Sequence, residues 1–109
     1  MSRAASETVA LVTGSTDGLG RALAGRLAAM GLTVHLHGRS ETKLEAARQE
    51  IVTATGNERV HTHVADFAKL ADVKRLADEI AALDALHLLV NNAGMGSGYP
   101  DSRERQESA

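Results

Sequence analysis

Apolar residues along this chain come in two rhythms: short unbroken runs, and longer stretches with the repeat of a helix. Thr8–Val12 is a run that predicts a first strand. Leu19, Leu23, Leu27 and Met30 then recur at helical spacing through an alanine-rich segment that stops at Gly31. Thr33–His37 predicts a second strand, and Gly38, Arg39 and Ser40 a turn. From Glu41 to Thr55 the spacing predicts a helix with Leu44, Ala47, Ile51 and Val52 on its apolar side, closed at Gly56. Arg59–Val64 reads as a third strand. Asp66 is placed as the N-cap of a third helix that carries Phe67, Leu70, Val73, Leu76, Ala77, Ile80 and Leu83 on one side. Leu86–Val90, with almost no polar face, predicts a fourth strand.

Strands that alternate with helices of this length imply an α/β fold: a parallel sheet of about four strands, helices on both faces, joined by right-handed crossovers. After Gly94 the pattern stops. Residues 1–94 are therefore assigned to one partial domain and 95–109 to a loop or disordered tail with many charges, two glycines and the chain's one proline.

A chain of 109 residues, 43% of them hydrophobic, holds one small core, built from Leu, Val, Ile and Ala because Phe67 and Tyr99 are its only aromatics. Twelve basic against fourteen acidic residues leave a charge of -2 and no basic stripe, which argues against nucleic acid as a partner. The chain has no cysteine, so thiolate chemistry is excluded. No apolar run reaches the ~20 residues that span a bilayer, and the opening residues have no signal-peptide core, so no membrane partner and a cytoplasmic location are expected.

Candidate chemistry concentrates in VTGSTDGLG, Val12–Gly20, which lies between the first strand and the first helix. In a parallel sheet this is where free helix amides meet a ligand at the carboxyl ends of the strands. Gly14 turns the chain off the strand, Gly18 removes a side chain where phosphates approach, and Gly20 lets the helix close on the sheet. No Lys follows the last glycine, so a Walker-type phosphate loop is excluded.

TGSTDGLG, together with NNAG at Asn91–Gly94, resembles the short-chain dehydrogenase/reductase family, whose cofactor motif has the form T-G-x-x-x-G-x-G and whose N-N-A-G closes the fourth strand. The resemblance implies a partial Rossmann fold that binds a nicotinamide dinucleotide. Gly14, Gly18, Leu19 and Gly20, with Ser15 and Asp17 in the same loop, are expected around the pyrophosphate, and Thr13 is expected to tie the first strand to NNAG. Asn91, Asn92, Ala93 and Gly94 would line the adenosine and nicotinamide side, and Asp66, with Phe67 beside it, would contact adenine. Gly38 stands where NAD-preferring relatives carry an acid, and Arg39 and Ser40 follow, so NADP is the expected cofactor and NAD the second choice.

The family's reaction also needs a serine and a Tyr-x-x-x-Lys pair, and the pair is expected after a fifth strand. Nothing in this chain matches that motif; Tyr99 is followed by PDSR and is read as a loop aromatic. No catalytic residue is assigned. The chain is expected to be the cofactor portion of a longer oxidoreductase that moves hydride between nicotinamide and a carbonyl or alcohol. Alone, it is expected to be inactive. The alternatives are a stand-alone dinucleotide-binding pseudoenzyme module and a non-functional truncated product. The parent is expected to be a homo-oligomer, and the chain itself is expected to self-associate through the bare leucines of Leu86–Val90.

His35, His37, His61 and His63 alternate along the second and third strands in a way that invites a zinc site; ordinary polar strand-end positions explain them as well, and no metal is assigned.

Overall fold

The computed structural model describes residues 4–93; Gly94, Tyr99 and the rest of 95–109 lie outside the described residues. Strands β1 (Val9–Val12), β2 (Thr33–Gly38), β3 (Val60–Val64) and β4 (Leu88–Val90) alternate with helices α1 (Gly18–Ala29), α2 (Glu41–Thr55) and α3 (Leu70–Ala81). All strand pairs are parallel, in the order β3-β2-β1-β4. The chain thus moves outward from β1 through β2 to β3, then crosses back to place β4 on the other side of β1. With right-handed crossovers that reversal puts α1 and α2 on one face and α3 on the other. It also opens a crevice between the carboxyl ends of β1 and β4, the switch point at which open α/β sheets bind ligands.

Strand ends differ slightly from expectation, and side chains explain why. The Val9 N–H donates to His87 Nδ1 (3.0 Å), an imidazole standing in for a ladder carbonyl, so regular pairing with β4 starts only at Leu88. α2 has the expected bounds. Ser40 caps it by accepting from the Lys43 N–H (3.2 Å), and Gly56, at φ 74°, ends it with its N–H on the Val52 carbonyl (2.8 Å).

The core lies between the sheet and α1 and α2: Ala10, Val12, Val34, Leu36 and Val60 of the strands meet Ala24, Leu27, Ala28, Leu44, Ala47 and Ile51 of the helices. The face that α1 buries keeps the middle of the expected leucine stripe, Leu27 buried and Leu23 packed against the core, but not its two ends. Leu19 is 72% exposed and Met30 65%, whereas Gly20, Ala24, Leu27 and Ala28 are buried. Gly20, Ala24 and Ala28, small residues four apart, let the helix axis lie close to the strands, while Leu19 and Met30 at its two ends stay outside the core.

α3 is a second correction. It starts at Leu70, not at Asp66, and Leu76 is its only buried residue. The Asp66 carboxylate accepts from the Ala68 N–H (3.0 Å), and the Asp66 carbonyl accepts from the Lys69 N–H (2.9 Å), so a tight turn occupies residues 66–69. Phe67 is therefore outside the helix. β4 forms one edge of the sheet, with Leu86, Leu88 and Leu89 exposed. Among the described residues no helix is long and apolar enough to cross a membrane.

Candidate dinucleotide site

At the switch point two segments are locked together by Thr13, the last buried residue of the β1 end. Its hydroxyl oxygen accepts from the Asn92 N–H (2.9 Å) and the Ala93 N–H (3.0 Å), and its own proton faces Asn91 Oδ1 (3.2 Å). Asn92 returns the contact: its Nδ2 donates to the Gly14 carbonyl (3.0 Å). Thr13, Gly14, Asn91, Asn92 and Ala93 are thus brought together, as the resemblance implied.

Gly14 leaves the strand at φ 63° and Gly18 enters α1 at φ 60°, backbone values that favour glycine at both ends of the loop. Gly20 is buried for a different reason, since a Cβ there would meet the Gly14 carbonyl oxygen well inside contact distance and Asn92 Nδ2 at 2.6 Å. Above Gly18, by contrast, a Cβ would meet nothing within 4 Å. Asp17, the N-cap residue of α1, makes no side-chain cap bond, and both it and Leu19 are exposed. The first amides of α1 therefore open onto free space at a positive helix end, which suits the paired phosphates of a dinucleotide.

Ser15 is turned the other way. It is fully buried, its N–H donates to the His37 carbonyl (2.8 Å), and its Oγ accepts from the His37 N–H (2.9 Å), so its side chain braces the loop against β2. Arg39 is exposed and makes no hydrogen bond or ion pair among the described residues; Ser40 Oγ keeps its proton free while it caps α2. Asp66 holds its turn, and its N–H donates to Asp72 (2.8 Å), a bond that keeps the Asp72 carboxyl below the usual carboxylate range. Phe67 stacks on the His37 ring, with centroids 4.3 Å apart and planes 11° from parallel. His37 is the residue that sequence reasoning missed here. Its place one residue before the Gly38 turn was the available signal.

The other three histidines of β2 and β3, His35, His61 and His63, gather on the α3 face of the sheet. His35 Nδ1 lies 2.8 Å from His63 Nε2, and His63 Nδ1 lies 2.8 Å from Glu79 Oε1 of α3. His35 and His61 are register partners, their rings 4.9 Å apart. Among the described residues no group of three or more such side chains has metal-binding geometry. An open depression beside these rings, also lined by Val9, Thr33 and Leu83, lies toward the amino ends of the strands, away from the glycine loop.

Burial, reinforced by the neighbouring His63 and His61, lowers the His35 pKa to about 4. In the unfolded chain it returns to an ordinary histidine value, so between that value and about 4 the unfolded state binds more protons. Stability should therefore fall as pH drops through this window and stop falling on this account below it. The expected loss is on the order of 1–2 kcal/mol after screening at this solvent-reached cluster. Urea unfolding at pH 7.5 and 4.5 measures it, and His35→Gln should flatten the difference.

The sequence family described as short chain dehydrogenase matches residues 8–108. A polyprenol dehydrogenase of Mus musculus is 42% identical over 88 residues, which are 80% of this chain and 26% of that protein. Among solved structures, menthone neomenthol reductase from Mentha piperita superposes with a TM-score of 0.75 at 35% identity, covering 83% of this chain and 32% of the other. A short-chain dehydrogenase from Sphingobium yanoikuyae in complex with NADPH gives 0.74 at 28% identity, covering 80% and 34%. The chain spans about a quarter to a third of the length of these three proteins.

Proposed function

This chain belongs to the short-chain dehydrogenase family, homologous to NAD(P)-dependent oxidoreductases, and we propose that it is the NADP(H)-binding portion of such an enzyme. The observation that carries the reading is the open amino end of α1 at the β1/β4 switch point, with Gly14 and Gly18 free of side chains and Thr13 and Asn92 fixing the floor. There the amides of Gly18, Leu19 and Gly20 receive the pyrophosphate. Asn91, Asn92 and Ala93 run along the adenosine and nicotinamide side, and Asp66 and Phe67 flank the adenine. Titration of the isotope-labelled chain with NADP+ should shift the Gly18, Leu19 and Gly20 amide resonances; unmoved resonances at millimolar ligand would overturn the reading.

The NADP preference is supported at the end of β2. A Cβ at Gly38 would come within 2.6 Å of Thr16 Cγ2, so a ribose-binding acid at the position where NAD-preferring relatives carry one would have to displace the Thr16 methyl. Arg39 next to it is exposed, with a guanidinium that engages no partner among the described residues, and it suits a 2′-phosphate. Arg39→Glu is expected to weaken NADP+ binding roughly tenfold and leave NAD+ binding nearly unchanged. Calorimetry with both dinucleotides tests this, and equal losses for the two would refute the assignment.

When bound, the nicotinamide supplies or accepts hydride. This chain's residues hold and orient it, and they include no Tyr-x-x-x-Lys pair to move the proton. In the complete enzyme the substrate would be a carbonyl or alcohol, and the 109 residues alone are expected to show no turnover.

A further inference from the structure

One buried titratable group touches both sides of the proposed site and is used by neither reading above. His37 is 2% exposed, and its ring joins three segments. Nδ1 accepts from the Gly14 N–H (3.0 Å), Nε2 faces the Ala65 carbonyl (2.9 Å), and one ring face lies on Phe67. An amide can only donate and a carbonyl can only accept, so both contacts are satisfied by one species alone: the neutral imidazole with its proton on Nε2.

We propose that His37 is a positioning residue for the dinucleotide site, a strut that sets the Gly14 peptide against the Asp66–Phe67 turn and does so only while neutral. The inference rests on the dinucleotide reading. Gly14 is the pivot of the phosphate loop: its φ of 63° lets the chain turn, and its carbonyl is held by Asn92. The remaining degree of control is its N–H, and His37 holds it. A second proton on Nδ1 would set two donors face to face, release Gly14 and loosen the loop whose next amides meet the phosphates.

The surroundings keep the ring neutral near pH 7. Burial is the main cause of its lowered pKa, opposed by the Ala65 carbonyl and reinforced by His63 across on β3. The other titratable or charged groups on the elements around it include His35 and Arg39 on β2 or just beyond it, Asp17 in the glycine loop, His61 on β3, Asp66 and Lys69 in the turn with Phe67, and on α3 Asp72 and Arg75 against the end of β3 and Glu79 behind His63.

The test is NADP+ calorimetry from pH 8 to pH 5 on the 109-residue chain, His37→Leu and His37→Asn, with folding followed by circular dichroism. Asparagine keeps an acceptor for the Gly14 N–H and cannot be protonated. Wild-type affinity should fall with pH more steeply than that of the Asn variant, and the titration of the ligand's own 2′-phosphate cancels in this comparison. The Leu variant should bind roughly tenfold more weakly at pH 8, with Asn recovering most of the loss. If the Leu variant does not fold, the wild-type and Asn slopes still decide. Imidazole nitrogen spectra should show the Nε2–H tautomer at pH 8; an Nδ1–H tautomer overturns the strut without reference to any ligand. Normal wild-type binding with coincident pH profiles overturns the role of His37 alone. Absence of wild-type binding at every pH overturns the cofactor reading and this inference together.

Discussion

Gly20→Ala is expected to cost about 3 kcal/mol of stability and to weaken dinucleotide binding roughly a hundredfold, although alanine is the better helix former. The propensity gain is at most ~1 kcal/mol, and the steric cost exceeds it because neither neighbour can give way. The new methyl would press on the Gly14 carbonyl oxygen and lie 2.6 Å from Asn92 Nδ2. Those two atoms are bonded to each other at 3.0 Å, and Gly14 is also held through its N–H by His37. Relief requires α1 to slide off the sheet or the phosphate loop to lift, and either movement displaces the amides that would meet the ligand. A thermal melt should fall by more than ~10 °C on this scale. Gly18→Ala is the control. Its Cβ would enter open space, so only the strain of φ 60° remains, on the order of 1–2 kcal/mol. A Gly20→Ala protein that melts with the wild type would show that α1 does not approach β1 and β4 as described.

The same close approach explains what the sequence did and did not disclose. Strand and helix order, the parallel sheet and the α2 bounds were legible, because Leu44, Ala47 and Ile51 fall on one stripe and Ser40 and Gly56 punctuate it. The buried face of α1 was legible only in its middle, at Leu23 and Leu27. A reading by hydrophobic size selects Leu19 and Met30, whereas the sheet selects the small residues that let the axis come near. Asp66 misled for a related reason: an aspartate ahead of an apolar run looks like a cap, but here its carboxylate closes a turn on Ala68, and the helix waits until Leu70. The glycine loop and NNAG were visible as motifs. That His37 links them to the turn after β3 depends on strand register, which no local pattern expresses.

Thr13→Val should detach the second motif from the first. Valine nearly matches threonine in shape, so packing at the β1 end is kept and the change isolates one oxygen. That oxygen accepts from the Asn92 and Ala93 amides at 2.9 and 3.0 Å, and its removal strands the Ala93 N–H in a part-buried place and leaves the Asn92 N–H only the Val90 carbonyl (3.1 Å). The expected cost is about 2–3 kcal/mol, close to the penalty for unsatisfied donors and larger than the worth of one surface hydrogen bond. Hydrogen exchange should locate it: the Asn92 and Ala93 amides lose protection, while those of α2, whose Leu44 and Ile51 are fully buried, keep theirs. Thr13→Ser retains the oxygen and should retain most of the protection. Uniform loss across the sheet in both variants would mean that the residue fills space at the end of β1 and does not hold the Asn91–Ala93 segment over the glycine loop.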